Sequence, residues 1–385
     1  MGRGVPDVTL STVHRAKRGC YLAAALIVSS VQSNEVSYLQ ENMVFFGRRK
    51  TTVGLDVGSG LIKIAVIDHG KGAPELVKVA ITKLQPDAIV EGEVMDPGIV
   101  SDAIRAALDN AGVGSKHIVT AVGGRDVMVK KIQTERVKEK QARELMRWEA
   151  EQHVPDVESV ELDFQILDDS KSADEMNVLL VAAKRDLVDA KLRILADAGV
   201  TPSIVDVDAF ALHNAFEVNY PEAMKGFVAL VNIGNEITNI NIMDNGVPVL
   251  TRDLPLGTRR FSEDLQRQHG LAARDAENLI RGYDRSPQLD SVLSIRVEEI
   301  AVGVERAAAF LATSRSASAL RAVYVCGGGS RTPGIAEMLG SRLKITVEHA
   351  NPLARLNIRD GAMESLTTDE VAPLLMLPIG LALRQ

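Results

Sequence analysis

The residues best suited to chemistry lie in one glycine-rich stretch, Thr51–Lys63 (TTVGLDVGSGLIK). An apolar run ends at Asp56, the turn Gly58-Ser59-Gly60 follows, and a second apolar run leads away. This pattern predicts a β-hairpin, since its glycines can take positive φ and let backbone N–H groups approach an anion. Ser59 adds a hydroxyl group and Lys63 a point charge suited to phosphate. Asp56 would repel phosphate, so it predicts an intervening metal ion or its waters.

Two later loops have the same character, although each short glycine motif by itself also fits an ordinary turn. An apolar run at 228–231 opens onto a turn that contains Asn232, Gly234, Asn235 and Thr238. Another at 323–325 opens onto Gly327, Gly328, Gly329 and Ser330. In this order, the three loops resemble the phosphate 1, phosphate 2 and adenosine motifs of the actin/Hsp70/sugar-kinase ATPase superfamily. That resemblance implies an α/β fold with two duplicated RNase H-like halves around a nucleotide cleft.

Composition limits the function classes. With 385 residues, 46% of them hydrophobic, the chain is long enough for two or more domains with substantial cores. A net charge of −7 gives no global basic surface, so we expect a soluble protein that does not bind nucleic acid. Cys20 and Cys326 are too few for a disulfide framework, which favours a reducing compartment. No run approaches the ~20 apolar residues of a membrane span, so direct membrane insertion is not expected.

The N-terminal segment allows three interpretations. Residues 1–19 are basic and residues 21–31 are apolar, which imitates a signal peptide. We favour an extension or an upstream start over residues 1–46, with the working protein beginning near Met43. A disordered or partner-binding tail and a genuine export or anchor signal are the alternatives.

Periodicity predicts an alternation of sheets and helices. The predicted strands are a three-strand antiparallel meander over 53–84, then 117–122, 127–133, 160–167, 176–183, 201–206, 227–233, 238–244, 247–254, 322–326 and 345–348. The predicted helices are 99–111, 137–153, 185–198, 209–218, 258–268, 273–281, 289–314, 332–340 and 371–383. Asn245-Gly246 predicts a tight hairpin turn. Both halves follow the order meander, helix, strand, helix, which indicates an internal duplication.

Further runs sharpen the resemblance: WEAEQHVP at 148–155, VDVDAFALHNAF at 205–216, NGVPVLTRDLPLG at 245–257 and APLLMLPIGLALR at 372–384. With these runs the chain resembles the PilM family, the actin-like cytoplasmic proteins of type IV pilus assembly, which are similar to the cell-division protein FtsA. The likeness extends over residues 44–384. It implies subdomain 1A at 47–84 with 200–225 and 352–385, an inserted subdomain 1C at 85–199, subdomain 2A at 226–258 with 322–351, and subdomain 2B at 259–321.

The resemblance also implies ATP and Mg2+ (magnesium) in the cleft. Asp56 would organise the metal's waters, and Gly58, Ser59, Gly60 and Lys63 would hold phosphate. Asn232, Gly234, Asn235 and Thr238 would form the second phosphate loop, and Gly327, Gly328, Gly329 and Ser330 the adenosine loop. Glu277 would bind the ribose, although the lysine expected three residues later is Ile280. Asp206 and Asp208 are candidates to position a catalytic water; alternatively, Asp208 caps a helix that begins at Ala209.

One departure bears on the mechanism. The second phosphate loop of this superfamily usually opens with an aspartate, and here the residue is Asn232. A −1/+2 charge pair about 5 Å apart is worth up to roughly 7 kcal/mol at an effective dielectric constant of about 20, before screening. We therefore expect a weak ATPase at most, with nucleotide as a structural ligand that closes the cleft; neutral drift at an unimportant position is the alternative.

The function implied by the resemblance is a scaffold of the pilus assembly platform. It would bind the cytoplasmic N-terminal peptide of PilN between subdomains 1A and 1C, and partners would recruit it from the cytoplasm to the inner face of the inner membrane. Contacts with other platform and motor proteins, and self-association into rings or filaments, stay open. The alternatives are an FtsA-like polymerising cell-division ATPase and a sugar-kinase-type phosphotransferase. The latter requires a carboxylate base and a polyol pocket, which the sequence does not identify.

Overall fold

A computed structural model describes residues 51–70, 72–114, 117–137, 139–154, 156–167, 174–283, 286–314, 319–364 and 366–384. The predicted extension at 1–46 lies outside the described residues. Within them, no helix is long and apolar enough to cross a membrane.

The strands and helices alternate along the chain. The strands are β1 (Thr51–Val57), β2 (Leu61–Asp68), β3 (Glu75–Lys83), β4 (Ile89–Val90), β5 (Glu93–Val94), β6 (Ile118–Val122), β7 (Val127–Glu135), β8 (Val160–Leu167), β9 (Glu175–Lys184), β10 (Ile204–Val207), β11 (Phe227–Ile233), β12 (Thr238–Asp244), β13 (Val247–Leu254), β14 (Ala322–Cys326), β15 (Thr346–His349) and β16 (Asn357–Ile358). The helices are α1 (Pro97–Ala111), α2 (Glu139–Glu151), α3 (Arg185–Asp197), α4 (Asp208–Asn219), α5 (Thr258–His269), α6 (Ala273–Ile280), α7 (Pro287–Ser314), α8 (Ile335–Leu343), α9 (Thr368–Val371) and α10 (Met376–Ala382). Three short 3-10 turns lie at Val157–Ser159, Gly328–Arg331 and Ala372–Leu374.

The two large sheets share one topology. The first has the order β10-β6-β1-β2-β3-β16 and the second the order β13-β12-β11-β14-β15. In each, an antiparallel meander of three strands is followed by two parallel strands, β6 and β10 in the first sheet and β14 and β15 in the second. The predicted duplication is therefore confirmed in the strand order, and β16 extends only the first sheet.

Local signals explain the hairpins. Strands β1 and β2 pair from Thr51↔Asp68 to Val57↔Ile62, with the glycine-rich turn at the tip. Strands β12 and β13 are joined by Asn245-Gly246, with φ of 49° and 79°. Two consecutive left-handed residues define a type I′ turn, so the predicted tight hairpin is confirmed.

A third sheet, with the order β7-β9-β8, forms a separate unit with helix α2. Its core packs Met146 of α2 with Phe164 and Leu180 of the sheet. Helix α1 instead packs on β2 and β3, and β6 pairs with β1 and β10. The subdomain limits stay a prediction, and the strand pairing favours an inserted unit of about 127–184 within the expected 85–199.

Two regions differ from the periodicity prediction. The helix expected at 332–340 begins three residues later, as α8 at Ile335–Leu343, and a 3-10 turn at Gly328–Arg331 precedes it. The helix expected at 371–383 is interrupted by the 3-10 turn Ala372–Leu374, because Pro373 lacks the N–H that a continuous helix requires. The hairpin β4–β5 and strand β16 were not predicted, since strands of two residues show no alternation.

Helix α10 fixes the first hairpin from behind. A Cβ atom at Gly54 of β1 would lie 2.0 Å from the Pro378 carbonyl oxygen, and one at Gly380 would lie 1.7 Å from the Ala211 carbonyl oxygen. Only glycine allows backbones to approach this closely. Strand β1 and helix α4 are thereby held against α10, which positions the loops at their ends.

Candidate functional site

A cleft of about 1740 Å3 lies where the loops of the two large sheets face each other. It is lined at the carboxyl ends of β1, β6, β10, β11 and β14. This is the edge at which α/β sheets bind ligands, because the connections that leave the strands diverge there. The volume exceeds the 300–1,000 Å3 typical of small-molecule pockets, as expected for an open cleft between two halves.

Most of the predicted site residues line this cleft. They are Asp56, Gly58, Ser59, Gly60, Lys63, Asp208, Asn232, Gly234, Asn235, Glu277, Gly327 and Gly328. The structure does not bring Asp206, Thr238, Gly329 and Ser330 to the cleft wall; all four are buried elsewhere.

The first loop carries a charged pair. Asp56 and Lys63 are register partners on β1 and β2, and the Lys63 Nζ lies 2.5 Å from the Asp56 Oδ2. Both side chains are largely buried, with 17% of Lys63 and 7% of Asp56 exposed. The pair is consequently desolvated at the cleft wall, where each charge has a stronger effect than in water.

The two hairpin loops meet across the cleft. The Asn235 Nδ2 donates to the Ser59 Oγ at 3.3 Å, and a Cβ atom at Gly60 would lie 3.2 Å from the Asn235 Cγ. Neither Gly58 nor Gly60 has positive φ, contrary to the expected left-handed turn. The glycine at position 60 is required for close approach of the opposite loop and not for its backbone angle.

The second loop carries neutral side chains at the matching place. Asn232 and Asn239 are register partners on β11 and β12, and the Asn232 Nδ2 donates to the Asn239 Oδ1 at 2.9 Å. The Asn239 Nδ2 donates in turn to the Asp253 Oδ1 at 2.6 Å. Burial raises the pKa of the Asp253 carboxyl above its ordinary value, and the hydrogen bond from Asn239 opposes this shift. Asn232 is therefore held in a chain of hydrogen bonds that ends on a carboxylate.

Asp208 lies on the cleft floor beside Lys191 of α3. Burial and the nearby charge of Asp56 together raise the pKa of Asp208 to about 7, and the charge of Lys191 opposes the shift. Burial also lowers the pKa of Lys191. The alternative role as a helix cap is wrong, because α4 begins at Asp208 itself, the capping residue is Val207, and no side chain caps the helix.

Asp206 points away from the cleft. Its carboxylate is fully buried and its Oδ2 lies 3.0 Å from the Nε of Arg384, just beyond α10. Burial raises the pKa of Asp206, and the Arg384 charge opposes the shift. The pair joins β10 to the chain's C-terminal segment, so the geometry supports a structural role for Asp206.

Thr238 and Ser330 shape the loops from inside. The Thr238 Oγ1 donates to the Leu256 carbonyl oxygen at 2.6 Å, and the Ser330 Oγ donates to the Gly327 carbonyl oxygen at 2.8 Å. A Cβ atom at Gly329 would lie 2.3 Å from the Ile233 Cγ2, so the adenosine loop packs directly on β11. Short side chains bonded to backbone hold the loop conformation without reaching the cleft.

At the far end of the cleft, Glu277 forms an ion pair with Arg281 one helical turn later. Arg281 directly follows Ile280, the position at which the resemblance predicted a lysine, and contacts the Glu277 carboxylate. Tyr283 and Arg331 line the same end. This end combines an aromatic ring with hydrogen-bonding groups, which suits a nucleoside.

Sequence reasoning missed several cleft residues, among them Lys191, Glu236, Arg259, Asp87 and Glu91. Lys191 lies in a helix with no motif around it, and only the fold brings it to the floor. Glu236 follows Asn235 directly, so extending the second glycine motif by one residue would have included it. The described residues contain no group of three or more His, Cys, Asp or Glu side chains that could hold a metal ion by themselves.

Two halves of equal topology around a cleft lined by glycine loops define the actin-like ATPase fold. A family model described as "Type IV pilus assembly protein PilM" matches residues 54–385, and the chain belongs to this family. The match favours the pilus protein over the cell-division and sugar-kinase alternatives.

The chain is also similar to several solved structures. The chain is 26% identical to a protein of a structure titled "PilM-PilN type IV pilus biogenesis complex", covering 88% of this chain and 99% of that one with a TM-score of 0.76. The ethanolamine utilization protein EutJ from Carboxydothermus hydrogenoformans is 19% identical over 87% of this chain and 90% of its own, with a TM-score of 0.51. MreB5 of Spiroplasma citri, solved with bound AMPPNP, is 11% identical over 87% of this chain and 95% of its own, with a TM-score of 0.49.

Proposed function

We propose that this protein is a nucleotide-binding scaffold of the type IV pilus assembly platform, which holds ATP with Mg2+ in the cleft and binds the cytoplasmic N-terminal peptide of PilN. The observation that carries the nucleotide part is the pair of hairpin loops that face each other across the cleft, one with Asp56 and Lys63 and the other with Asn232 and Asn235.

The donor groups fit a polyphosphate. The Gly58 N–H donates to the Leu61 carbonyl oxygen and shapes the turn, so Ser59 and Gly60 would contribute the backbone N–H groups. The Ser59 hydroxyl and the positive charge of Lys63 would add to them. Gly234 and Asn235 would act from the opposite loop. Glu277, oriented by Arg281, suits the ribose hydroxyls, and Gly327 and Gly328 line the part of the cleft where the base would lie.

Magnesium, when bound, would neutralise the phosphates and separate them from the Asp56 carboxylate. Asp56 is the carboxylate of the first loop, and the described residues offer no ready-made cluster of metal ligands. We infer that Asp56 holds the ion through its waters, which fits a cation that dehydrates reluctantly and takes most of its ligands from water and phosphate.

Slow hydrolysis is part of the proposal. The neutral Asn232 cannot serve as a general base, and its amide is engaged by Asn239. Asp208 is the remaining carboxylate on the cleft floor, and with a pKa of about 7 it is only partly ionised at neutral pH. We propose that turnover, where it occurs, depends on Asp208, and that the nucleotide serves mainly to hold the two halves together.

The partner follows from the family and from the solved complex. The protein 26% identical to this chain was solved as a PilM-PilN complex. We place the peptide between the first large sheet and the inserted sheet β7-β9-β8, and we expect the platform to recruit the protein to the inner face of the inner membrane. Binding of a synthetic PilN N-terminal peptide by calorimetry, with a scrambled peptide as control, tests this part; equal binding of both peptides would contradict it.

The decisive measurement for the nucleotide is the content and turnover of purified wild-type protein beside Asn232→Asp. We expect bound ATP with slow turnover in the wild type and a rise of about tenfold or more in the variant, equivalent to about 1.4 kcal/mol of barrier. Asn245→Asp is the matched control, since it adds the same charge at an exposed turn that tolerates Asp. Absence of nucleotide from the wild type under all conditions would refute the proposal, and brisk wild-type hydrolysis would refute the structural-ligand role.

A further inference from the structure

The hairpin β4–β5, within Pro86–Val94, leaves the first half and contacts the second. We call this segment the clasp. The Asp87 Oδ1 lies 2.7 Å from the Nη2 of Arg259. The Glu91 backbone N–H donates to the Glu236 Oε2 at 2.6 Å. A Cβ atom at Gly92 would lie 3.6 Å from the Ile237 Cδ1, so the turn of the clasp also runs close to the second half at this position.

The receiving residues are held firmly in the second half. The Arg259 Nη1 lies 2.9 Å from the Glu236 Oε1, and its Nε lies 3.2 Å from the Glu263 Oε1. Only 6% of the Glu236 side chain is exposed, so its carboxylate is fixed between Arg259 and the clasp backbone. Glu236 directly follows Asn235, whose side chain contacts Ser59. The clasp contacts are thus continuous with the contact between the two phosphate loops.

The clasp has a defined backbone geometry. Glu91 and Gly92, with φ of 50° and 87°, form the two-residue turn that joins β4 to β5, so the left-handed angle at Glu91 belongs to the hairpin itself. Asp87, with φ of 61°, lies in the left-handed region that non-glycine residues seldom adopt, and its carboxylate contacts Arg259 of the other half.

We propose that the clasp closes the phosphate end of the cleft and that its opening limits nucleotide exchange. This inference rests on the proposed nucleotide function and adds a regulatory element to the same site. A nucleotide that bridges the two hairpin loops holds Asn235 toward Ser59 and keeps Glu236 and Arg259 in reach of the clasp. By linkage, a closed clasp must strengthen nucleotide binding to the same extent.

The test measures the dissociation rate of mant-ATP from the intact chain, by displacement with excess ATP. Asp87→Asn removes a carboxylate that reaches Arg259 from the other half. Glu263→Gln removes one that reaches it from the same half, and is the matched control. An exposed ion pair changes an equilibrium by about two- to fivefold, so we expect Asp87→Asn to accelerate release by about threefold and Glu263→Gln to leave it unchanged.

Glu236→Gln is expected to change the dissociation rate more than Asp87→Asn does. It weakens both the ion pair to Arg259 and the hydrogen bond that the Glu91 N–H donates. The loss of a hydrogen bond to a charged group changes an equilibrium constant by about tenfold or more. We expect release at least tenfold faster, with an unchanged thermal unfolding midpoint of the nucleotide-free protein as evidence that the variant folds. Added salt is expected to accelerate wild-type release more than release from Asp87→Asn, because the ion pair across the cleft is screened.

The outcomes separate the two proposals. Normal mant-ATP binding with equal release rates for wild type, Asp87→Asn and Glu236→Gln overturns the clasp and leaves the nucleotide site intact. Equal acceleration by Asp87→Asn and Glu263→Gln also overturns it. The effect would then come from the loss of any carboxylate beside Arg259 and not from the ion pair across the cleft. No mant-ATP binding by the wild type overturns the proposed function, and the clasp with it.

Discussion

The two hairpins at the cleft have the same fold, but only one of them carries charged side chains at the matching position. In the first, Asp56 is the penultimate residue of β1 and pairs with Lys63 on β2. In the second, Asn232 is the penultimate residue of β11 and pairs with Asn239 on β12. A charged pair in one half therefore corresponds to a neutral amide pair in the other.

Under the proposed function, this difference separates nucleotide binding from nucleotide turnover. The charged pair keeps a cation at the cleft wall, where it can meet phosphate, and a carboxylate that can meet the waters of a metal ion. The amide pair keeps the shape of the second loop, since Asn232 remains fixed through Asn239 to Asp253. Of the two proposed phosphate loops, only the first therefore carries a charged pair of side chains.

The largest effect is expected from the first hairpin. Lys63→Ala removes the positive charge from the proposed phosphate site, and hydrogen bonds to charged groups are worth about 1.5–3 kcal/mol. We expect the Kd for ATP to rise by about 10- to 100-fold, measured by calorimetry in the presence of Mg2+.

Lys83→Ala is the matched control for this prediction, because Lys83 also lines the cleft but lies at the exposed end of β3. We expect less than a twofold change. An equal loss of ATP affinity in the two variants would mean that the overall positive charge of the cleft, and not the Asp56–Lys63 pair, holds the phosphates. The charge difference between the hairpins would then not explain nucleotide binding.

A smaller effect is expected from Asp253, where the chain of hydrogen bonds from Asn232 through Asn239 ends. Asp253→Ala removes the acceptor of the half-buried Asn239 amide, and a typical hydrogen bond contributes about 1 kcal/mol. We expect the free energy of unfolding in urea to fall by this amount. Turnover is expected to change little, since Asp253 acts on Asn232 only through Asn239. A rise in turnover without loss of stability would contradict the structural role assigned to the neutral pair.

The remaining effect is a pH dependence carried by Asp208. Burial raises its pKa from 3.8 to about 7, so between these values the folded protein holds a proton that the unfolded chain has lost. Stability from this group therefore decreases as the pH rises from about 4 to 7. Asp208→Asn removes this contribution, and the difference in unfolding free energy between wild type and variant is expected to fall over that range and then level off.

Other buried groups also titrate between about pH 4 and 7, which is why the measurement compares wild type with variant. Burial lowers the pKa of His213 to about 4 and raises that of Glu217 to about 7. Both are present in wild type and variant, so their contributions cancel in the difference. A difference that does not vary with pH would show that the cleft floor is better solvated than its geometry indicates.

Local patterns predicted most of the fold. The strands β8, β11, β12, β13 and β14 begin and end at the predicted residues, because alternation and glycine turns are properties of a few consecutive positions. The site was predicted where a residue belongs to such a turn, as with Ser59 and Asn235. Thr238 and Ser330 were also predicted as site residues, but their hydroxyls donate to backbone carbonyl oxygens and do not reach the cleft.

The pair Asp206 and Asp208 shows what the sequence by itself determined and what it left open. Alternation along a continuing strand would place both side chains on one face. Helix α4 begins at Asp208, however, and the change of backbone direction sends the two carboxylates to different places, one to Arg384 and one to the cleft.

The sequence determined the hairpins, their register and the charges they carry, because these depend on neighbours along the chain. The tertiary structure decided which of those residues share a cleft, placed Lys191 beneath it, and brought Asp87 to Arg259 and Glu91 to Glu236. Such contacts join residues that are roughly 150 positions apart in a chain of 385, and no local pattern encodes them. They arise because two duplicated sheets pack with their loop ends toward one another.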